Sequence, residues 1–345
     1  MKQDNLPKIL VLGTGGTVTG TAPNEVSTAR YEAGRLALID LLAGVPALLQ
    51  YAQLQVETLA SIDSKDMHFP LWMQLAERIT YAQHDQRVDG VVVLHGSDTL
   101  EETAYFLELV LSLAKPLVLV GAMRPSTALS ADGPLNLLHA VRLAATPQAQ
   151  GQGPLVVINQ QIFAAREVTK VSAYAIDAFV SPGQGPLARV LDERIYWLRR
   201  RYDIPSGPPA VVHLTDVPVD QPWPWVEILT HGVGADARAL QALCQSGVNG
   251  IVLAGTGLGT LSATVLAGVD AARKAGVAVV RASRCLLGPV LHDIGNDDTQ
   301  LGMLAAGDLS PQKARVLLLI GLRKGLDQEG LTRLFDQHAL LAHLP

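Results

Sequence analysis

Cysteine is scarce in this chain. Cys244 and Cys285 are the two among 345 residues. Two thiols with no C-x-x-C context build neither a disulfide framework nor a zinc site, and they suit a reducing compartment. Nine histidines are present, but none has a metal-ligand spacing such as H-E-x-x-H, so no metal is expected. Charge of either sign is sparse. Lys and Arg number 27 against 32 Asp and Glu, a formal charge of −5. A mildly acidic surface argues against nucleic acid or an anionic membrane as the main partner. No apolar stretch approaches the ~18 residues of a membrane span. The N-terminal apolar run, ILVL at 9–12, is too short for a signal-peptide core. These absences lead to the expectation of a soluble, cytoplasmic protein.

Hydrophobic residues make up 48% of the chain and aromatics only 5%. A large core must therefore be built from Ala, Val, Leu and Ile, and a disordered chain is excluded. Short apolar runs recur at 9–12, 91–94, 117–120, 155–158, 251–254 and 277–280. They are continuous rather than alternating, as suits strands buried on both faces of a parallel sheet. Segments with helical spacing lie between them, at 69–86, 101–114, 134–145, 262–275 and 311–322. The chain is thus expected to be α/β. A larger N-terminal domain, with a mostly parallel sheet flanked by helices, would precede a smaller C-terminal α/β domain. The Pro- and Gly-containing stretch LRRRYDIPSGPP at 198–209 reads as a linker. The expected limits are 1–198, a linker at 199–209, and 210–345. The polar stretch 18–33 has no apolar period and reads as a mobile loop.

Ligands of open α/β sheets bind outside the carboxyl ends of the strands. Three hydroxyl-rich turns follow apolar runs: Gly13-Thr14-Gly15-Gly16-Thr17, His95-Gly96-Ser97-Asp98-Thr99, and Gly121-Ala122-Met123-Arg124-Pro125-Ser126. The first is neither G-x-G-x-x-G nor a P-loop. It is either a tight turn or a site where Thr17 presents a nucleophile beside glycine amides that hold an oxyanion. In the second, Thr99-x-x-Glu102 fits a capping box. Asp98 is either a further cap or part of a site at a helix N-terminus. Lys170 is either a solvated cation or a buried base. The thiols read as small core residues.

At these residues the chain resembles the bacterial L-asparaginase family in its two-domain homotetrameric form. The motifs are LGTGGTVTG (12–20), DSKDM (63–67), HGSDTLEETAYFL (95–107), VGAMRPSTALSADGPLNL (120–137), AAREVTK (164–170), GIVLAGTG (250–257) and VRASR (280–284). They span almost the whole chain, and as an ordered set they are far more specific than any one alone. The resemblance implies hydrolysis of the side-chain amide of asparagine to aspartate and ammonia, with no cofactor. It implies Thr17 as nucleophile and Tyr31 as its partner. Ser97, Asp98 and Lys170 would form a second catalytic group. Gly16, Ser64, Lys65, Gly96, Ser97, Asp98 and Ala122 would bind substrate, with Ser64 at the α-carboxylate and Asp98 also facing the α-ammonium. The loop at 18–33 would close over the substrate. A homotetramer is implied, each site completed by a neighbour's smaller domain.

The chain also departs from the family pattern. Ser97 stands where a threonine is usual and so lacks the methyl that restricts the rotamer. Lys65 replaces Gln or Glu. Leu258 and Thr260 replace asparagines, and Gly295 replaces an acid. The last four changes fall on recognition of the substrate amine, so substrate identity is less determined than reaction type. A glutaminase-asparaginase, or a related amidase with altered amine recognition, is the neighbouring alternative. A subunit of a tRNA-dependent amidotransferase is disfavoured by the charge. An amino-acid sensor on the same fold would have no use for a nucleophile.

Overall fold

The computed structural model describes residues 6–200, 212 and 221–338. Within the chain the fold separates into two compact units, 1–207 and 208–345.

The first unit is built on an eight-stranded sheet in the order β10-β9-β6-β5-β4-β3-β1-β2. The five strands at one side are β1 (Lys8–Gly15), β2 (Gln53–Ile62), β3 (Gly90–Leu94), β4 (Leu117–Val120) and β5 (Pro154–Ile158). They pair in parallel. The remaining three, β6 (Gln161–Ala164), β9 (Ala188–Leu191) and β10 (Arg194–Trp197), pair antiparallel. A separate two-stranded ribbon joins β7 (Thr169–Lys170) to β8 (Phe179–Val180). The helices are α1 (Leu38–Ala43), α2 (Phe69–His84), α3 (Leu100–Val110) and α4 (Gly133–Ala144). The expected α/β class and mostly parallel sheet are both present.

The apolar runs became central strands because helices cover both faces. Every residue of β3, β4 and β5 is buried. Each such Val, Leu or Ile contributes ~1.5–3 kcal/mol of burial. Valines and leucines from β1, β3, β4 and β5 share one core cluster with α1 and α4. Strand β2 lies at the sheet edge, partly buried along its length. It has no continuous apolar run, which is why the sequence pattern does not reveal it. The antiparallel strands are short and carry mixed patterns, so they too escape the apolar-run signal.

The second unit holds a four-stranded parallel sheet in the order β11-β12-β13-β14. Its strands are β11 (Val226–Thr230), β12 (Gly250–Gly255), β13 (Ala278–Ser283) and β14 (Leu304–Ala305). They alternate with α5 (Arg238–Gln245), α6 (Ala263–Lys274), α7 (Asp298–Leu301), α8 (Pro311–Arg323) and α9 (Gln328–His338). Of the stretch read as a linker, residues 201–209 lie outside the described residues. No helix among the described residues is long and apolar enough to cross a membrane.

A buried ion pair ties the loops at the carboxyl ends of the second sheet. Arg281 and Asp298 are both fully buried, with Nε–Oδ1 at 2.7 Å and Nη2–Oδ2 at 2.5 Å. The same guanidinium donates to the carbonyls of Leu258 and Leu291, and the Asp293 amide donates to Asp298. His292, Asp293 and Asp298 lie close enough to hold an ion, but the buried carboxylate among them is already satisfied by Arg281. Breaking such a pair leaves an uncompensated buried charge, at a cost of ~3–5 kcal/mol. Asp298→Ala is therefore expected to lower the thermal midpoint of the chain by roughly 5 °C or more. A midpoint within about one degree of wild type would show the pair to be dispensable.

Candidate active site

The three turns come together at the carboxyl ends of β1, β3 and β4, and glycine is what lets them. Gly16 has φ +87°, and a Cβ there would lie 2.2 Å from the Gly96 Cα. A Cβ on Gly96 would in turn meet the Ser64 Oγ at 2.5 Å. Gly15, with φ +104°, packs as tightly on the backbone of Ile62. No side chain fits at these positions, so the strand ends close against one another. Thr17 and Ser97, each one residue beyond its glycine, are brought to one crevice.

Two hydrogen-bonded groups occupy it. Thr17, 4% exposed, opens a short 3₁₀ turn over Thr17–Thr19. Its Oγ1 lies 2.7 Å from the Tyr31 hydroxyl. Burial raises the Tyr31 pKa, with Asp98 and Asp63 adding to the rise against the opposing hydrogen bond to Thr17. The phenol thus keeps its proton at neutral pH. In the second group, Lys170 Nζ donates to Ser97 Oγ at 2.9 Å and to Asp98 Oδ1 at 2.6 Å. Lys170 is mostly buried and Asp98 half-exposed. The Lys170 side chain is thus ion-paired rather than free in solvent. Ser97, without a threonine's methyl, is held by this lysine.

Other expected residues fall differently. The capping box at Thr99 does not form. Its side chain makes no cap hydrogen bond, because the hydroxyl donates instead to the Ser64 carbonyl at 2.7 Å. Ser64 Oγ accepts the Asp98 amide at 3.1 Å, so its own proton is free for a ligand. The Gly16 amide donates to the Ile62 carbonyl at 2.8 Å. A committed donor has no proton left for an oxyanion, so that expected role does not fit Gly16. Ala122 is fully buried in the core cluster, leaving only its backbone to face a ligand. Lys65 Nζ pairs with Asp63 at 2.6 Å, and its side chain is 65% exposed. It points to solvent, held by the neighbouring carboxylate.

The stretch 18–33 is more ordered than its polar sequence suggests. Val18 is fully buried. Thr21 and Glu32 form a bridge, and Ser126 and Leu129 donate backbone bonds to Gly20 and Glu25. Tyr31 already rests on Thr17.

Sequence reasoning missed the groups that hold these turns. His95 is fully buried. Its Nδ1 lies 2.7 Å from the Gly96 carbonyl and its Nε2 2.9 Å from Thr103 Oγ1. A carbonyl only accepts, so Nδ1 carries the proton and Nε2 accepts from Thr103. Thr103 accepts in turn from Trp72 Nε1 at 2.8 Å. Burial lowers the His95 pKa to about 4, which keeps the ring neutral as this chain requires. At the third turn, the Asp132 carboxylate accepts the amides of Met123 and Arg124. Asn136 donates to the Gly121 carbonyl and to Asp132. Both lie inside the 120–137 motif, but spacing alone did not separate them from ordinary helix-start residues.

In the second unit, Thr260 Oγ1 donates to the Thr256 carbonyl at 2.9 Å, and the Leu258 side chain is exposed. Gly295 has φ +88°, and a Cβ there would lie 2.7 Å from Thr260 Cγ2. A side chain at 295 would be strained at this φ and would require Thr260 to shift.

A mostly parallel sheet with a hydroxyl pair and a lysine–carboxylate group at its carboxyl ends is an arrangement compatible with hydrolase chemistry. Comparison narrows the class. Residues 8–202 match the N-terminal asparaginase domain and residues 225–335 the glutaminase/asparaginase C-terminal domain. A probable periplasmic L-asparaginase of Haemophilus influenzae is 39% identical over 96% of this chain and 93% of its own. A glutaminase-asparaginase of Pseudomonas fluorescens is also 39% identical, over 96% and 91%. The crystal structure of a probable cytoplasmic L-asparaginase from Campylobacter jejuni superimposes with a TM-score of 0.87 at 37% identity, covering 96% and 99%. The chain belongs to the asparaginase family.

The buried histidine gives the fold a pH dependence. An unfolded histidine titrates near 6.5, and folded His95 at about 4. Between these values the unfolded chain binds the extra proton. The His95 contribution, ~3 kcal/mol, is therefore complete above pH 6.5 and is lost as the pH falls through 4. His139, lowered to about 4 by burial and then by Arg142, acts in the same direction. Denaturation midpoints of wild type and His95→Gln between pH 7 and 4 are expected to diverge, the variant losing less stability on acidification. Parallel curves would contradict this.

Proposed function

We propose that the chain hydrolyses the side-chain amide of L-asparagine, giving L-aspartate and ammonia, through an acyl-enzyme on Thr17. The observation that carries this reading is the 2.7 Å contact of Thr17 with Tyr31, beside a lysine–carboxylate pair that grips Ser97. Thr17 oxygen attacks the amide carbon. Its proton passes to the Tyr31 oxygen as the Tyr31 proton moves on toward the leaving nitrogen. The C–N bond breaks and ammonia departs. A water beside the Ser97–Lys170 group then attacks the ester carbon, the bond to the Thr17 oxygen breaks, and the water's proton passes to that oxygen. Two moderate steps replace one difficult one. The amide of Thr17, at the start of a turn where N–H groups lack intrahelical partners, and the backbone at Ala122 serve the oxyanion.

The free Ser64 proton suits the substrate α-carboxylate, and half-exposed Asp98 suits the α-ammonium. Relatives named glutaminase-asparaginase stand at the same identity as those named L-asparaginase, which supports some turnover of glutamine as a second reading. A hydrogen-bonded nucleophile pair speaks against a sensor.

The further readings are these. The domains run 1–198 and 210–345, supported by family matches that end at 202 and resume at 225. The enzyme is cytoplasmic, supported by two free cysteines. It is a homotetramer, supported by exposed apolar side chains such as Val26, Leu129, Tyr174, Leu286 and Leu287.

Ammonia release from asparagine, glutamine and simple amides tests the activity. Thr17→Ala is expected to lower kcat roughly a thousandfold or more, and near-wild-type turnover would refute the nucleophile. For Lys65, an exposed ion pair with Asp63 adds little. Lys65→Gln is expected to change KM for asparagine less than about threefold. A tenfold fall in KM would instead mean that Lys65 opposes the substrate amine.

A further inference from the structure

We infer that Glu101 is a positioning residue that sets where Lys170 stands. This rests on the catalytic reading of Lys170 given above. Lys170 lies at the end of the two-residue strand β7, which pairs with β8 alone and belongs to neither large sheet. So short a ribbon has little stability of its own. Just beyond it, Val171 donates its amide to the Ala178 carbonyl at 2.7 Å. Strand alternation therefore turns the Lys170 amide away from β8. That amide donates to Glu101 Oε2 at 3.0 Å. Glu101 is buried in the first turn of α3, where the helix dipole favours a carboxylate.

The consequence is geometric. Ser97 and Asp98 lie just before the N-cap of α3, and Glu101 is the second residue of the helix. One helix start thus carries both the groups that Lys170 Nζ binds and the acceptor that fixes the Lys170 backbone. Backbone and ammonium are clamped to the same rigid element, although 69 residues separate Lys170 from Glu101. A displacement of about 1 Å in such a group can cost up to a hundredfold in rate.

The test compares kcat and KM for asparagine in Glu101→Asp, Glu101→Gln, Lys170→Met and the double variant Glu101→Asp/Lys170→Met. Amide hydrogen exchange across β7 and β8 is read alongside. Glu101→Asp keeps the charge but withdraws the acceptor by one methylene. It is expected to lower kcat roughly ten- to a hundredfold, with KM within about threefold, and to speed exchange at the Lys170 amide. Glu101→Gln keeps an acceptor at the same reach and is expected to retain more than half of kcat with the amide still protected. On the Lys170→Met background, Glu101→Asp is expected to cost less than about twofold, because the group it positions is gone. Equal loss in both backgrounds, or wild-type kcat and exchange in Glu101→Asp, overturns the proposal. Should Lys170→Met turn over at the wild-type rate, the catalytic reading of Lys170 fails, while exchange at the Lys170 amide still reports whether the tether exists.

Discussion

In the first unit Gly16 lies so near Gly96 that a Cβ has no room, and the site depends on this approach. Where a Cβ would be 2.2 Å from a neighbouring Cα, no adjustment of a side chain creates room. With glycine at both positions, the ends of β1 and β3 meet without a spacer. Ser64, from the short turn after β2, then fits against Gly96. A hydroxyl nucleophile acts only over the distance of a hydrogen bond. That distance is set by how closely three strand ends can be gathered.

Around this contact several buried polar groups are paired with one another. His95, Thr103 and Trp72 form a chain in which each donor meets one acceptor, which holds only while the imidazole is neutral. Asp132 and Asn136 do the same for the turn after β4. These groups touch no reacting atom in the proposed chemistry. They fix the peptides beside Ser97 and Ala122, since a loose turn would surrender the alignment on which the reaction depends. The site's charges are balanced in pairs, Lys170 with Asp98 and Lys65 with Asp63. The inner pair grips a hydroxyl and the outer one meets solvent.

The second unit follows the same rule with different means. A single guanidinium, Arg281, gathers the loops that contain Leu258, Leu291 and Asp298. Thr260 and Gly295 are a matched pair. The threonine methyl fills the space that any side chain at 295 would need.

Sequence alone determined the α/β class, because continuous Val and Leu runs are stable only when covered on both faces, and helical spacing supplies the cover. The hydroxyls, glycines and carboxylate just after those runs made Thr17, Ser97 and Asp98 legible as candidates, whereas the roles of Tyr31 and Lys170 came only with the resemblance to a family. Edge strand β2 and the antiparallel strands escaped it, because partly buried strands lack that signature. Thr99 has the spacing of a capping box, yet its hydroxyl turns to the Ser64 carbonyl, a partner 35 residues away. Gly16 looks like an oxyanion donor until the Ile62 carbonyl takes its amide. The charge of Lys65 was legible, but its direction was not, because Asp63 decides it. Tertiary structure settled each of these for one reason. A hydrogen-bonding group is defined by the partner it finds, and partners far apart in the chain are brought together only by the fold.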